Sequence, residues 1–95
     1  MMTNLDFPTF HYDPEVLEEL EAASLAAIDA GAGRIVFDLD RLERLDTEGV
    51  RGLITLLRRT RERGGELALR VSRPDILRSL KVTALDRVFP MVKAA

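Results

Sequence analysis

Apolar residues fall along this chain in two alternating rhythms, one suited to strands and one to helices. Ile35-Val36-Phe37-Asp38-Leu39 is a nearly unbroken apolar run and predicts a buried strand over 34–39. Leu67, Leu69 and Val71 alternate with other residues, which predicts a second strand over 66–71 with those three turned inward. Between these strands, Val50, Leu53, Ile54, Leu56 and Leu57 recur at helical spacing and predict a helix over 48–63, stopped by Gly64-Gly65. An earlier stripe, Val16, Leu17, Leu20, Ala23, Ala27 and Ile28, predicts another helix. Asp13 supplies its cap, Pro14 its first position and Glu15 an acid at the positive end, and Gly31 and Gly33 close it. Ser72-Arg73-Pro74-Asp75 opens a third helix carrying Ile76, Leu77 and Leu80. Leu85, Val88 and Phe89 form a last apolar patch before Pro90. Near the start, 9–12 can form one brief strand that Pro8 confines to an edge.

Strand, helix, strand, helix predicts one α/β domain over 1–95 with parallel middle strands. The division is a short N-terminal strand region, 1–12, and an α/β core, 13–92. The expected sheet is small and mixed, with helices mainly on one face. Val36, Phe37, Leu39, Leu53, Leu57, Leu67, Leu69 and Leu80 are the expected core. There are no internal repeats and no low-complexity segments.

Composition narrows the function classes. The 95 residues carry 14 basic and 16 acidic side chains, a net charge of −2, so nothing draws the chain toward nucleic acid or anionic lipid. Arg58-Arg59-Thr60-Arg61-Glu62-Arg63 reads as the solvated C-terminal end of a helix, where cations suit the dipole. No apolar run approaches the ~20 residues that span a bilayer. Met1-Met2-Thr3-Asn4-Leu5-Asp6 has no signal-peptide pattern. There is no cysteine, hence no disulfide framework or thiol chemistry. The expectation is a soluble cytoplasmic protein.

Candidate chemistry concentrates in Leu45-Asp46-Thr47-Glu48-Gly49, a polar turn between strand and helix. It brings the Thr47 hydroxyl to the first turn of a helix, where free N–H groups and the dipole tolerate a phosphate. Such a hydroxyl is either a helix cap or the seat of a reversible charge switch. Asp46 is likewise either a cap or a partner-facing carboxylate, and Gly49 suits close packing. Other signals fail. Asp38-Leu39-Asp40 after a strand resembles the aspartate pair of haloacid-dehalogenase-type phosphatases, but Arg41-Leu42 stands where that family needs a hydroxyl and a glycine. His11 is the sole histidine and has no second ligand for a metal. Gly31-Ala32-Gly33 precedes a strand instead of following one, so it is no phosphate loop. Catalysis, a cofactor and a metal are not expected.

Residues 34–92 resemble the STAS domain, a family of sulphate-transporter segments and bacterial anti-sigma factor antagonists. The features that carry the likeness come in order: the strand Ile35-Val36-Phe37-Asp38-Leu39, the turn Asp46-Thr47-x-Gly49, the helix ending Arg61-Glu62-Arg63-Gly64-Gly65, the strand 67–71, Ile76-Leu77-Arg78-Ser79-Leu80, and Val82-Thr83-Ala84-Leu85-Asp86-Arg87-Val88-Phe89. The resemblance implies a transcription regulator that works by partner switching. A histidine-kinase-fold anti-sigma factor, itself a serine/threonine protein kinase, would phosphorylate Thr47 and be captured by the unmodified form. A cognate metal-dependent phosphatase would reverse the modification. Asp46, Glu48, Gly49, Arg51 and Gly52 would face that partner. The alternative within the family is a non-catalytic subunit on the ATPase of an ABC-type phospholipid-trafficking transporter. A stressosome-type scaffold is a third reading, associated with longer chains.

Three departures from the family pattern matter. Glu48 replaces a small or neutral residue and would set a phosphate on Thr47 between two carboxylates. Ala84 replaces a glycine, so a positive φ there costs more. Only about one strand fits ahead of the first helix where the family has two. That shortened edge leads to the expectation of a weak homodimer.

Overall fold

The computed structural model describes residues 7–92. Its elements follow the apolar rhythm. β1 (Thr9–His11) leads through a 3-10 turn (Pro14–Val16) into α1 (Leu17–Asp29). β2 (Arg34–Asp38), α2 (Thr47–Glu62), β3 (Glu66–Arg70) and α3 (Pro74–Val82) come next. A second 3-10 turn (Leu85–Arg87) ends in β4 (Met91–Val92). The Asp13 carboxylate accepts the Glu15 N–H at 3.0 Å with Pro14 beside it, so the predicted helix start is real but begins as a 3-10 turn. Gly64, at φ +84°, ends α2.

The sheet runs β1-β2-β3-β4 in sequence order. Phe10 pairs with Phe37, Phe37 with Leu69, and Leu69 with Met91. All three pairings are parallel, so the antiparallel strand implied by a mixed sheet is absent among the described residues. The reason is connectivity: a helical crossover separates each strand from the next, and such crossovers join parallel neighbours. Residues 1–6 lie outside the described residues. So do the signal-peptide reading of them and the question of a further N-terminal strand.

The core shows which face the helices cover. Ile35, Phe37, Leu39, Leu67, Leu69 and Val71 share one cluster with Leu20, Ile28, Leu53, Leu57, Ile76 and Leu80. Val36 and Ala68, in register on the opposite face, are buried but stand outside that cluster. Helices therefore pack on one face, as expected, and every expected core residue is buried.

Local differences have physical causes. In α1 the inward line is Leu20, Ser24 and Ile28, while Val16 and Ala23 are exposed. The 3-10 turn before Leu17 shifts the helical phase away from Val16. In α2 Ile54 is 41% exposed because Gly49, Leu53, Leu56 and Thr60 form the inward side. Val88 also points outward, beside the buried Leu85 and Phe89. β4, which the sequence pattern does not announce, joins the sheet where the Pro90 carbonyl accepts the Leu69 N–H at 2.9 Å. A proline suits this outer position because no partner requires its missing N–H. Ala84 adopts φ 61°, the only positive φ of a non-glycine residue among the described residues. The alanine departure thus keeps the glycine-like turn at a conformational cost.

Candidate partner-recognition site

The site is built around the first turn of α2. Asp46 lies in extended backbone just before the helix, and its Oδ1 accepts the Gly49 N–H at 2.9 Å. Its backbone carbonyl accepts the Val50 N–H at 2.9 Å. Asp46 is therefore the cap, and Thr47 is the first helical residue. The alternative in which Thr47 itself caps the helix is set aside, because the capping oxygen belongs to its neighbour. Thr47, Glu48 and Arg51 are exposed. Thr47 and Arg51 stand four residues apart, so they occupy one face of the helix.

Gly49 and Gly52 turn the other way. Both are buried, and the Tyr12 hydroxyl donates to the Gly49 carbonyl at 2.7 Å. A Cβ at Gly52 would overlap that hydroxyl and sit 3.0 Å from Leu17 Cδ1. Their chemistry is absence of a side chain: α2 can lie against Tyr12 and Leu17. The expected partner-facing set thus divides. Asp46, Glu48 and Arg51 reach the surface with Thr47, and Gly49 and Gly52 hold the helix from beneath.

Tyr12 is one residue that sequence reasoning missed as part of the site. Its ring centroid is 5.8 Å from that of Phe37. Burial, then the nearby Asp46 and Asp13 carboxylates, push its hydroxyl pKa well above the ordinary tyrosine value. The available signal was Gly49 and Gly52, three apart on one helix, which mark a close approach by some other group. An open crevice of about 930 Å³ covers the carboxyl ends of β1 and β2 and the start of α2, with Tyr12, Arg41, Arg44, Asp46 and Glu48 among its walls. His11 also borders it, and no cluster of three or more side chains placed to hold a metal occurs among the described residues.

Asp38 and Asp40 have structural partners. Asp38 Oδ1 accepts the Asp40 N–H at 2.8 Å, and Oδ2 meets Arg70 Nη2 at 3.1 Å. Asp40 accepts the Ser72 N–H at 2.9 Å and the Ser72 hydroxyl at 2.6 Å. Partial burial opposes its charge. The Ser72 hydroxyl and amide, with the amide and guanidinium of Arg73, nevertheless hold its carboxyl below the usual range. The carboxylate pair that resembled a phosphatase motif braces the loop leading to Thr47.

Comparison with known proteins gives a consistent neighbourhood. A family model described as "Mlab, STAS domain" matches residues 11–93. BtrV of Bordetella bronchiseptica, described as a candidate anti-sigma factor antagonist, is 30% identical over 77 residues. That match covers 81% of this chain and 66% of BtrV, just under two thirds of the relative's length. Among solved structures, the NMR structure of TM1081 aligns with a TM-score of 0.67 at 20% identity, over 93% of this chain and 71% of that one. The anti-sigma factor antagonist SpoIIAA, in its unphosphorylated form, aligns with a TM-score of 0.64 at 20% identity, over 100% of this chain and 87% of that one. Those structural likenesses speak for the fold, and the match along 11–93 speaks for the family. With its parallel sheet, its capped Asp46-Thr47-x-Gly49 turn and the match along residues 11–93, the chain belongs to the STAS domain family.

Proposed function

We propose that this protein is a partner-switching antagonist that binds a histidine-kinase-fold anti-sigma factor, with binding released by phosphorylation of Thr47. A non-catalytic recognition module of this kind would act in the bacterial cytoplasm. One observation carries the reading. Asp46 caps α2, which leaves the Thr47 hydroxyl on the exposed side of a helix start. A phosphate there would meet the positive helix end without refolding it, while adding about two negative charges to the recognition surface. A cognate phosphatase would restore the binding form.

The test uses the kinase encoded beside the protein. Incubation with that kinase and ATP should put one phosphate on Thr47, read by mass spectrometry. In titration calorimetry, wild type and Thr47→Ala should bind alike, and Thr47→Glu should bind much more weakly. Equal affinity for all three, with no phosphate found, would sink the switch.

Glu48 favours a second reading. It is exposed directly after Thr47, so a phosphate would face two neighbouring carboxylates, counting Asp46. Without phosphorylation, the same surface would serve a constitutive subunit docked on the ATPase of an ABC-type phospholipid transporter. Co-purification with an ABC ATPase, unaffected by Thr47→Glu, would select this reading. A weak homodimer across the β1 edge is compatible with either. Light scattering that shows only monomer at high micromolar concentration would count against it.

A further inference from the structure

The loop that delivers Asp46 and Thr47 is gripped from outside its own segment. It leaves β2 at Asp38 and enters α2 at Thr47. Leu39, at its start, is fully buried; beyond it Arg41, Glu43 and Arg44 are exposed, and apolar packing holds this stretch through Leu42 and the half-buried Leu45. Its polar ties run to the corner between β3 and α3. Asp40 reaches across to that corner, where its Oδ1 accepts the Ser72 N–H at 2.9 Å and the Arg73 N–H at 3.3 Å.

Arg73 reaches back. Its Nη1 donates to the Asp40 carbonyl at 3.3 Å and also to the Leu42 carbonyl. Its Nη2 donates to the Glu43 carbonyl at 3.2 Å. Asp75, in the first turn of α3, holds the guanidinium from the other side, with Nη2 to Oδ2 at 2.7 Å and Nε to Oδ1 at 3.2 Å. Each of two loops therefore sends a charged side chain into the backbone of the other. A guanidinium suits this task because its rigid fork serves several acceptors at once, which a lysine ammonium cannot match in that geometry.

We propose that Arg73 is a positioning residue of the recognition surface: through the carbonyls of Asp40, Leu42 and Glu43 it fixes the β2–α2 loop and so sets how Asp46 and Thr47 are presented. The functional half of this inference rests on the reading that the Thr47 turn faces the partner. Arg73 stands outside the hydrophobic cluster, half-buried at a corner. Its contribution is therefore local order, and a partner meets a loop already in its bound shape. Ordering a loop before binding removes that cost from the encounter.

The test compares full-length wild type with Arg73→Lys and Arg73→Ala by amide hydrogen exchange. Both variants should exchange about ten-fold faster at the hydrogen-bonded amides of this loop, those of Asp40 and Leu42, because the guanidinium's bonds to the loop carbonyls are lost. The amides of Val36, Phe37, Ala68 and Leu69 should keep their wild-type protection. An unchanged loop would overturn the proposal, and so would equal acceleration at every amide, which marks a merely structural role. In a second arm, phosphorylation by the neighbouring kinase with ATP should show a raised KM and an unchanged kcat for Arg73→Lys. Equal kinetics with a loosened loop would also overturn it. Wild type that accepts no phosphate refutes the Thr47 reading instead, and the exchange data still decide whether Arg73 holds the loop.

Discussion

Asp46 and Thr47 are neighbours with separate duties, and their substitutions should separate too. Asp46→Ala removes the bond to the Gly49 N–H and should cost about 1 kcal/mol in urea denaturation, the ordinary size of a lost cap. Thr47→Ala removes no cap and should stay within about 0.5 kcal/mol of wild type. Equal losses would mean that the capping assignment is wrong. Tyr12 offers a second test, because it is the sole tyrosine and there is no tryptophan. Its raised pKa means that the native state keeps the proton while the unfolded chain loses it above the ordinary value of 10.0. Above that pH the unfolded state binds fewer protons than the native one, so stability falls as pH rises. Tyr12→Phe should flatten this alkaline slope. In wild type the phenolate absorbance should emerge together with unfolding, and its emergence well before unfolding would contradict the burial.

At the scale of elements, regular periodicity made the strands and helices legible, and single packing choices did not show in it. Leu67, Leu69 and Val71 alternate as a half-buried strand must, and they lie inward. Gly52 is the contrary case. As sequence it reads as a surface glycine in a helix, yet it is buried against Tyr12 and Leu17. The spacing of Gly49 and Gly52 marks a close approach, but nothing local to α2 names the groups that make it, since they come from before and within α1. β4 escaped for a similar reason: two residues after a proline carry no period, and their pairing depends on β3. The Asp46-Thr47-x-Gly49 turn was legible because its parts are contiguous, whereas Arg73 lies far along the chain from the loop it holds. Gly52→Ala should force Tyr12 or α1 outward and cost about 1–3 kcal/mol, as overpacking does. Thermal melting of Gly52→Ala alone and combined with Tyr12→Phe would check it, since removal of the hydroxyl should recover part of the loss.

For the whole molecule, Phe37 is the pivot of the core, fully buried between Phe10 and Tyr12 on one side and the helices on the other. Phe37→Ala should lower stability by about 3–5 kcal/mol. An unchanged melting midpoint would refute its central place. The sheet around it has a further consequence. Because every described pairing is parallel, the loops that leave β1, β2 and β3 all emerge at one rim. The turns that enter β2 and β3 lie at the opposite rim. There Gly31 and Gly33 have open space where a side chain would begin, whereas Gly65 is pressed against Ile28. On the proposed reading recognition takes place at one end of the molecule, and the other end offers a handle. A fluorophore or a short peptide spliced between Gly31 and Gly33 would ride on the far side of the sheet from Thr47 and report binding without standing in its way.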